Sequence, residues 1–220
     1  HHTVTHLFHW ALHEVTSPDS SQKGSYVGPD KLTFDFNSQA LTVDQLNNIE
    51  RLVNQRILDN TLVSWTELPQ KDISGRDDIM QFFGDKYGEM VRVVQIGGEA
   101  GALNGYSMEL CGGTHTRATG EIGLFRIISE SAIAAGVRRV EALAGLVAAE
   151  QARTDAQRLG ALAEALNSPV KDIEKKLEQA FEQSKQLDKQ MKSIQHRRAS
   201  DTAKGLIEHA TRVGDVDCIT

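Results

Sequence analysis

Cysteine is scarce in this chain, with only Cys111 and Cys218 in 220 residues. Two thiols cannot build the disulfide framework of a small secreted protein. No run of eighteen apolar residues occurs and no charged-then-apolar leader is present. Neither a membrane span nor a secretory signal is therefore expected, and the cytoplasm is the expected compartment. Positive charge is also in short supply, since 24 Lys and Arg against 30 Asp and Glu leave a net charge of −6. Residues 1–166 hold 14 Lys and Arg against 21 Asp and Glu, giving −7, whereas residues 167–212 hold 10 against 7, giving +3. A broad phosphate-binding surface is thus excluded from the first part, and any nucleic-acid contact there must be local. The mildly basic tail, taken alone, reads first as a solvated helix of mixed charge. The chain does not begin with Met and both ends interrupt what reads as structured sequence, so a piece of a longer protein is expected. At this length it can hold one domain of ordinary size and a smaller appendage.

What is present is a set of soft ligands in two short clusters. His2-Thr3-Val4-Thr5-His6 is H-x-x-x-H, and a helix places residues four apart on one face. Cys111-Gly112-Gly113-Thr114-His115 is C-x-x-x-H, and its paired glycines predict a tight loop with backbone angles that a side chain would forbid. Together they offer the four tetrahedral N and S ligands that zinc prefers. His9 and His13 form another H-x-x-x-H on the same helix face, and helix geometry alone does not choose between the two pairs.

Around these clusters, Leu7, Trp10, Ala11 and Leu12 predict a first helix over Thr5–Val15. Residues Tyr26–Phe36 predict a hairpin turning at Gly28-Pro29-Asp30, with Leu32, Phe34 and Phe36 on the buried face. Thr42 and Gln45 form a capping box ahead of a second helix that runs to about Asn60. Strands are predicted at 63–68, 91–96, 106–110, 122–129 and 137–143, with a short helix between loops in 70–88 containing Ser74-Gly75 and Gly84-Asp85. Strands without regular helix alternation predict an α+β fold with a mainly antiparallel sheet and flanking helices. After Gly145 strand formers vanish. Ser168 reads as an N-cap with Pro169 at the first helical position. Beyond it Ile173, Leu177, Ala180, Ser184, Leu187, Met191 and Ile194 make a heptad seam. An antiparallel helical hairpin of coiled-coil type is expected, pairing within the chain, as a homo-oligomer, or both. The expected boundaries are 1–145, 146–212 and a further domain beginning in 213–220.

The run SMELCGGTHTRATGEIGLFRIISESAIAAGVRRVEA, from Ser107 to Ala142, resembles the editing domain of alanyl-tRNA synthetases. HTVTHLFHWALHEV and QKGSYVGPDKLTFDF fit the same family in the same order. Threonyl-tRNA synthetase editing domains and free-standing alanyl editing proteins share the metal motif, and the GVRRVEA ending with the helical tail favours the alanyl synthetases. The resemblance covers about residues 1–145 distinctively, and the rest as the helical segment that follows editing in that family. It implies a zinc-dependent deacylase acting on alanine tRNA mischarged with serine or glycine. It also implies that His2, His6, Cys111 and His115 bind Zn2+, with His9 and His13 structural. By motif position Gln22 shapes the pocket that binds serine's hydroxyl, against a plain surface-loop reading. Gly112 and Gly113 would let backbone amides approach the substrate, or simply make the turn. Arg138 or Arg139 would hold a phosphate near the RNA terminus while the other faces away, against a salt bridge at the core edge. Thr5 and Thr114 neighbour the ligands and would bond either them or the substrate. A closed set of four ligands also fits a purely structural ion, with the chain as an RNA-binding or dimerising module.

Overall fold

The computed structural model describes residues 1–17, 19–81, 88–208, 211–213 and 216–218. The Gly84-Asp85 part of the expected 70–88 helix and residues 214, 215, 219 and 220 lie outside the described residues. The chain divides into two units, His1–Arg153 and Thr154–Thr220. No helix among the described residues is long and apolar enough to cross a membrane.

In the first unit, helix α1 (His2–Val15) forms because Val4, Leu7, Phe8, Ala11 and Leu12 recur at steps of three and four and are all fully buried. It starts three residues before the Thr5 that its apolar pattern marks. Strands β1 (Gln22–Val27) and β2 (Leu32–Asn37) make the predicted hairpin and continue into an antiparallel sheet of order β1-β2-β7-β6, completed by β6 (Phe125–Ala134) and β7 (Val137–Ala144). Phe34 and Phe36 alternate on the inner face of β2 and meet Phe8 of α1, with ring centroids 5.2 Å and 6.4 Å away. The Thr42–Gln45 capping box is formed, and helix α2 (Val43–Leu58) buries Ile49, Val53 and Ile57. Two α2 side chains bond the backbone of β6: Asn54 both donates to the Phe125 carbonyl at 2.8 Å and accepts from its N–H at 2.9 Å, while Glu50 accepts from Ile127 N–H at 2.6 Å.

A second antiparallel sheet has the order β3 (Val63–Pro69), β4 (Met90–Ile96), β5 (Ser107–Leu110). Both its faces are apolar. Val94 and Ile96 join the main core, while Val91, Val93, Met108 and Leu110 pack with Ile73 and Ile79 in a smaller one. Two departures from expectation occur here. The strand expected at 122–129 begins at Phe125, because Thr119–Ile122 coil into a 3-10 turn and Gly123 takes φ +75°. In 70–88, the described helical part is a 3-10 turn over Gln70–Ile73.

Helix α3 (Leu146–Ala165) runs from the first unit into the second and ends in a Schellman turn. Asn167 is left-handed at φ +46°, and the N–H groups of Ser168 and Asn167 return to Ala163 and Glu164. This corrects the expected start of the next helix: Ser168 belongs to the preceding turn, Pro169 caps a 3-10 turn over Val170–Asp172, and α4 (Ile173–Glu208) begins after it. Along α4 the seam residues Leu177, Leu187, Met191 and Ile194 are exposed. Short strands β8 (Thr211–Val213) and β9 (Val216–Cys218) pair antiparallel. The α+β class, with antiparallel sheets, flanking helices and a long terminal helix, is the one expected.

Phe34→Ala removes a fully buried ring that contacts Phe8, Phe36 and His9. It should cost about 3–5 kcal/mol, read as a lowered urea midpoint of the first unit with an unchanged slope.

Candidate metal centre

Helix period and strand alternation together assemble the centre. On α1, His2 and His6 are one turn apart and their rings stack with centroids 5.6 Å apart. On β5, Met108 and Leu110 face the smaller core, so Glu109 faces α1, and Cys111 follows two residues later on the same side. The loop after Cys111 brings His115 to centroid distances of 4.6 Å from His2 and 5.0 Å from His6. One ligand atom from each of His2, His6, Cys111 and His115 then lies within 4.8 Å of every other. The Cys111 sulfur is 3.3 Å from His2 Nε2.

The donor set fits zinc. Nε2 of His6 and of His115 are buried and have no hydrogen bond of acceptable geometry, as expected of nitrogens meant for an ion. Ligands at about 2.0–2.3 Å from one ion lie about 3.3–3.8 Å apart, so small rotamer changes close this set. The thiol is also prepared. Burial raises the Cys111 thiol, but the imidazoles of His115, His2 and His6 turned toward it outweigh burial and hold it at about 3, so it is a thiolate at neutral pH. Burial lowers His6, and the Glu109 charge more than offsets this and carries it up to about 10. An ion entering the cluster must therefore displace a proton from His6.

Gly113 is required for closeness rather than for backbone angle. Neither it nor Gly112 is among the glycines with positive φ, contrary to the expected tight loop. A Cβ on Gly113 would fall 1.7 Å from His2 Cε1, whereas one on Gly112 meets nothing within 4 Å. Arg92 fixes this loop by donating to the Gly113 carbonyl at 2.8 Å and stacking over Trp65.

Two cavities flank His2. The smaller, about 160 Å³, is lined by Thr5, His6, Gln22, Ser25, Glu109 and Cys111 among others. A β-bulge between Gln22 and Gly24 sets Gln22 apart from the regular β1 ladder, and its Nε2 donates to Ser25 Oγ at 2.9 Å. The larger, about 770 Å³, has Val27, Gly28, Thr114, His115, Glu121 and Gly145 in its wall. Thr5 Oγ1 donates to the His1 carbonyl at 3.0 Å.

Arg138 and Arg139 are not gathered with these residues. They point to opposite faces of β7, Arg138 paired with both oxygens of Glu130 and Arg139 with both of Asp35 at 2.7 and 2.8 Å. Two residues without a signal in the sequence do belong to the centre. Thr3 Oγ1 lies 3.3 Å from His115 Nδ1 and accepts from Thr116 N–H at 3.1 Å. Glu109, buried, contacts Nδ1 of both His6 and His9, the latter at 2.8 Å. Burial raises its carboxyl, and the His6 charge with the bonds from His6 and His9 reverses this to about 2. His13 instead bonds the Ser20 carbonyl through Nε2 at 2.8 Å.

A fold of this kind around three histidines and a cysteine defines a class. Residues 91–141 match the family described as the threonyl and alanyl tRNA synthetase second additional domain. The chain is 56% identical over 153 residues to the alanine-tRNA ligase of Akkermansia muciniphila, covering 70% of this chain and 16% of that protein. It is 41% identical over 217 residues to the alanine-tRNA ligase of Acidithiobacillus ferridurans, covering 98% of this chain and 24% of that protein. Over 197 residues it is 42% identical to that of Fervidobacterium nodosum, covering 89% and 22%. The chain belongs to the alanyl-tRNA synthetase family, and it spans at most about a quarter of the length of these relatives.

Gly113→Ala should push the His2 ring out of the cluster and weaken zinc binding at least about tenfold in a chelator competition, while Gly112→Ala leaves zinc affinity unchanged.

Proposed function

We propose that residues 1–145 form a zinc-dependent editing domain that hydrolyses alanine tRNA wrongly esterified with serine or glycine. The helical segment 146–212 follows it. The work is cytoplasmic. The observation that carries this reading is that the small polar cavity lined by Gln22, Ser25 and Thr5 is also lined by His2, His6 and Cys111. A space of about 160 Å³ accepts a small aminoacyl group, and the cavity of about 770 Å³ across His2 has room for the terminal nucleoside of an RNA.

The need for such a site follows from pocket energetics. A site built for alanine cannot strongly exclude glycine, and it rejects an added hydroxyl only about a hundredfold, so a second site must correct the error. The correcting site must spare alanine, which requires a polar partner for serine's hydroxyl. Gln22 and Ser25 bond each other in the absence of substrate and exchange that bond for one to the hydroxyl. His2, His6, Cys111 and His115 hold the ion. Bound there, zinc supplies a site of net charge about +1 that polarises an ester carbonyl or holds an amino group. Gly112 leaves the backbone of the Cys111 loop open to an approaching substrate, whereas Gly113 gives its space to the His2 ring. Arg139, more exposed than Arg138, is the candidate for an RNA phosphate, which would displace Asp35.

The test is release of amino acid from serine-charged and alanine-charged alanine tRNA, with zinc content measured on the same samples. The wild-type chain should hydrolyse the serine ester selectively, and Cys111→Ala should lose hydrolysis and zinc together. Gln22→Ala should keep its zinc and lower the serine-over-alanine ratio about tenfold, the worth of one hydrogen bond of about 1.4 kcal/mol. Full zinc with no hydrolysis by the wild type would mark the ion as structural.

A further inference from the structure

One buried charge has no role in the chemistry above. Glu109 is 4% exposed in the middle of β5, between Met108 and Leu110, which are core residues. No Lys or Arg pairs with it among the described residues. An unpaired carboxylate at this depth costs several kcal/mol, and an apolar residue would pack there without that cost. What compensates it is two imidazoles from one face of α1. Oε2 accepts from Nδ1 of His6 and Oε1 accepts from Nδ1 of His9 at 2.8 Å. An ionised carboxylate only accepts, so both Nδ1 atoms carry protons. In His6 that assignment leaves Nε2, on the far side of the ring, to face Cys111, where it is buried without a hydrogen bond of acceptable geometry. His115 Nδ1, by contrast, meets the neutral hydroxyl of Thr3.

We propose that Glu109 is a positioning residue of the metal centre: its carboxylate holds His6 as the Nδ1–H form with Nε2 directed at the ion, and His9 holds the carboxylate from its other oxygen. The proposal rests on the reading of His2, His6, Cys111 and His115 as the zinc ligands. It gives the second H-x-x-x-H motif a task that is not ligation. His9 stands three residues from His6, so the two Nδ1 groups lie side by side on α1 and one carboxylate spans both. A carboxylate behind a ligand imidazole raises the basicity of the ligating nitrogen and fixes its ring, and loss of such a partner typically costs 10–100-fold in metal affinity.

The experiment compares the full chain with Glu109→Gln, Glu109→Met, His9→Phe and His9→Asn. Zinc affinity is measured by chelator competition, the cobalt(II) visible spectrum reports ligand geometry, and far-UV circular dichroism reports the fold. Glu109→Gln should bind zinc about 10–100-fold more weakly, with a folded spectrum and an unchanged cobalt-thiolate band. Glu109→Met, whose side chain suits the surrounding core, should lose at least as much affinity without losing stability. His9→Phe should weaken zinc binding and His9→Asn, which keeps an N–H for the carboxylate, should restore it. Long-range proton-nitrogen correlation should show zinc-loaded His6 protonated at Nδ1 in the wild type. Wild-type zinc affinity in both Glu109 variants, or lowered stability with unchanged affinity, would overturn the proposal and leave the zinc reading standing. If the wild-type chain binds zinc no better than Cys111→Ala, the zinc reading and this one fall together.

Discussion

The seating of α1 on the end of β5 is the contact on which the centre depends. Two of the four candidate ligands come from the helix and two from the strand end and its loop, so no cluster exists unless these elements meet. The meeting is driven by apolar burial, since Val4, Leu7, Phe8, Ala11 and Leu12 fill the core beneath both sheets. Its rotation about the helix axis is set by polar pairs, which tolerate less error than methyl groups. His6 and His9 must both reach Glu109, and Thr3 must reach His115 and Thr116. A rotation of α1 by one residue, about 100°, would satisfy the core with different side chains and break every one of these contacts.

Elsewhere in the first unit a distributed set of contacts keeps α1 and α2 together. The guanidinium of Arg56 on α2 lies 4.8 Å from the ring of Trp10 on α1 and 4.6 Å from that of Tyr106, next to β5. One cation thus ties both helices to the strand whose far end carries Cys111. Thr61 and Thr119 close the base of α2, the Thr119 N–H reaching the Thr61 carbonyl and its hydroxyl the Arg56 carbonyl. The helix and strand that carry the cluster are thus held against α2 at Trp10 and Tyr106, which favours a centre of fixed geometry.

The four residues of the cluster are legible as a group because each pair is local in sequence, four residues apart, and only their mutual approach is long-range. The hairpin and α2 were legible for the same reason: alternation at Leu32, Phe34 and Phe36, and a capping box at Thr42, are signals within a few residues. Glu109 was not, because a single acid in a short strand reads as the solvent side of an alternating pattern. Only the third dimension shows that β5 is covered on both faces. Arg56 escaped likewise, as Trp10 and Tyr106 are distant in the chain. Gly113 is special for a reason that its neighbours in sequence do not show. Sequence alone favours the backbone explanation for paired glycines, while the actual constraint is the ring of a histidine more than a hundred residues away. Pro169 carries no signal that separates a 3-10 turn from an α-helix, because a proline at the start of either satisfies the same local rule.

The bonds from Asn54 and Glu50 to Phe125 and Ile127 have a consequence for how this sheet behaves in company. β6 is an outer strand of the four-stranded sheet, and an outer strand offers a template on which any extended peptide can grow. At its first residues the amide side chain imitates a neighbouring strand, donating and accepting at the same peptide, and the carboxylate takes the next free N–H. A foreign chain therefore finds the slots of that stretch already filled by a helix. The protein closes its sheet with two side chains where others use an added strand or a barrel, and the molecule is spared self-adhesion along that stretch of the border.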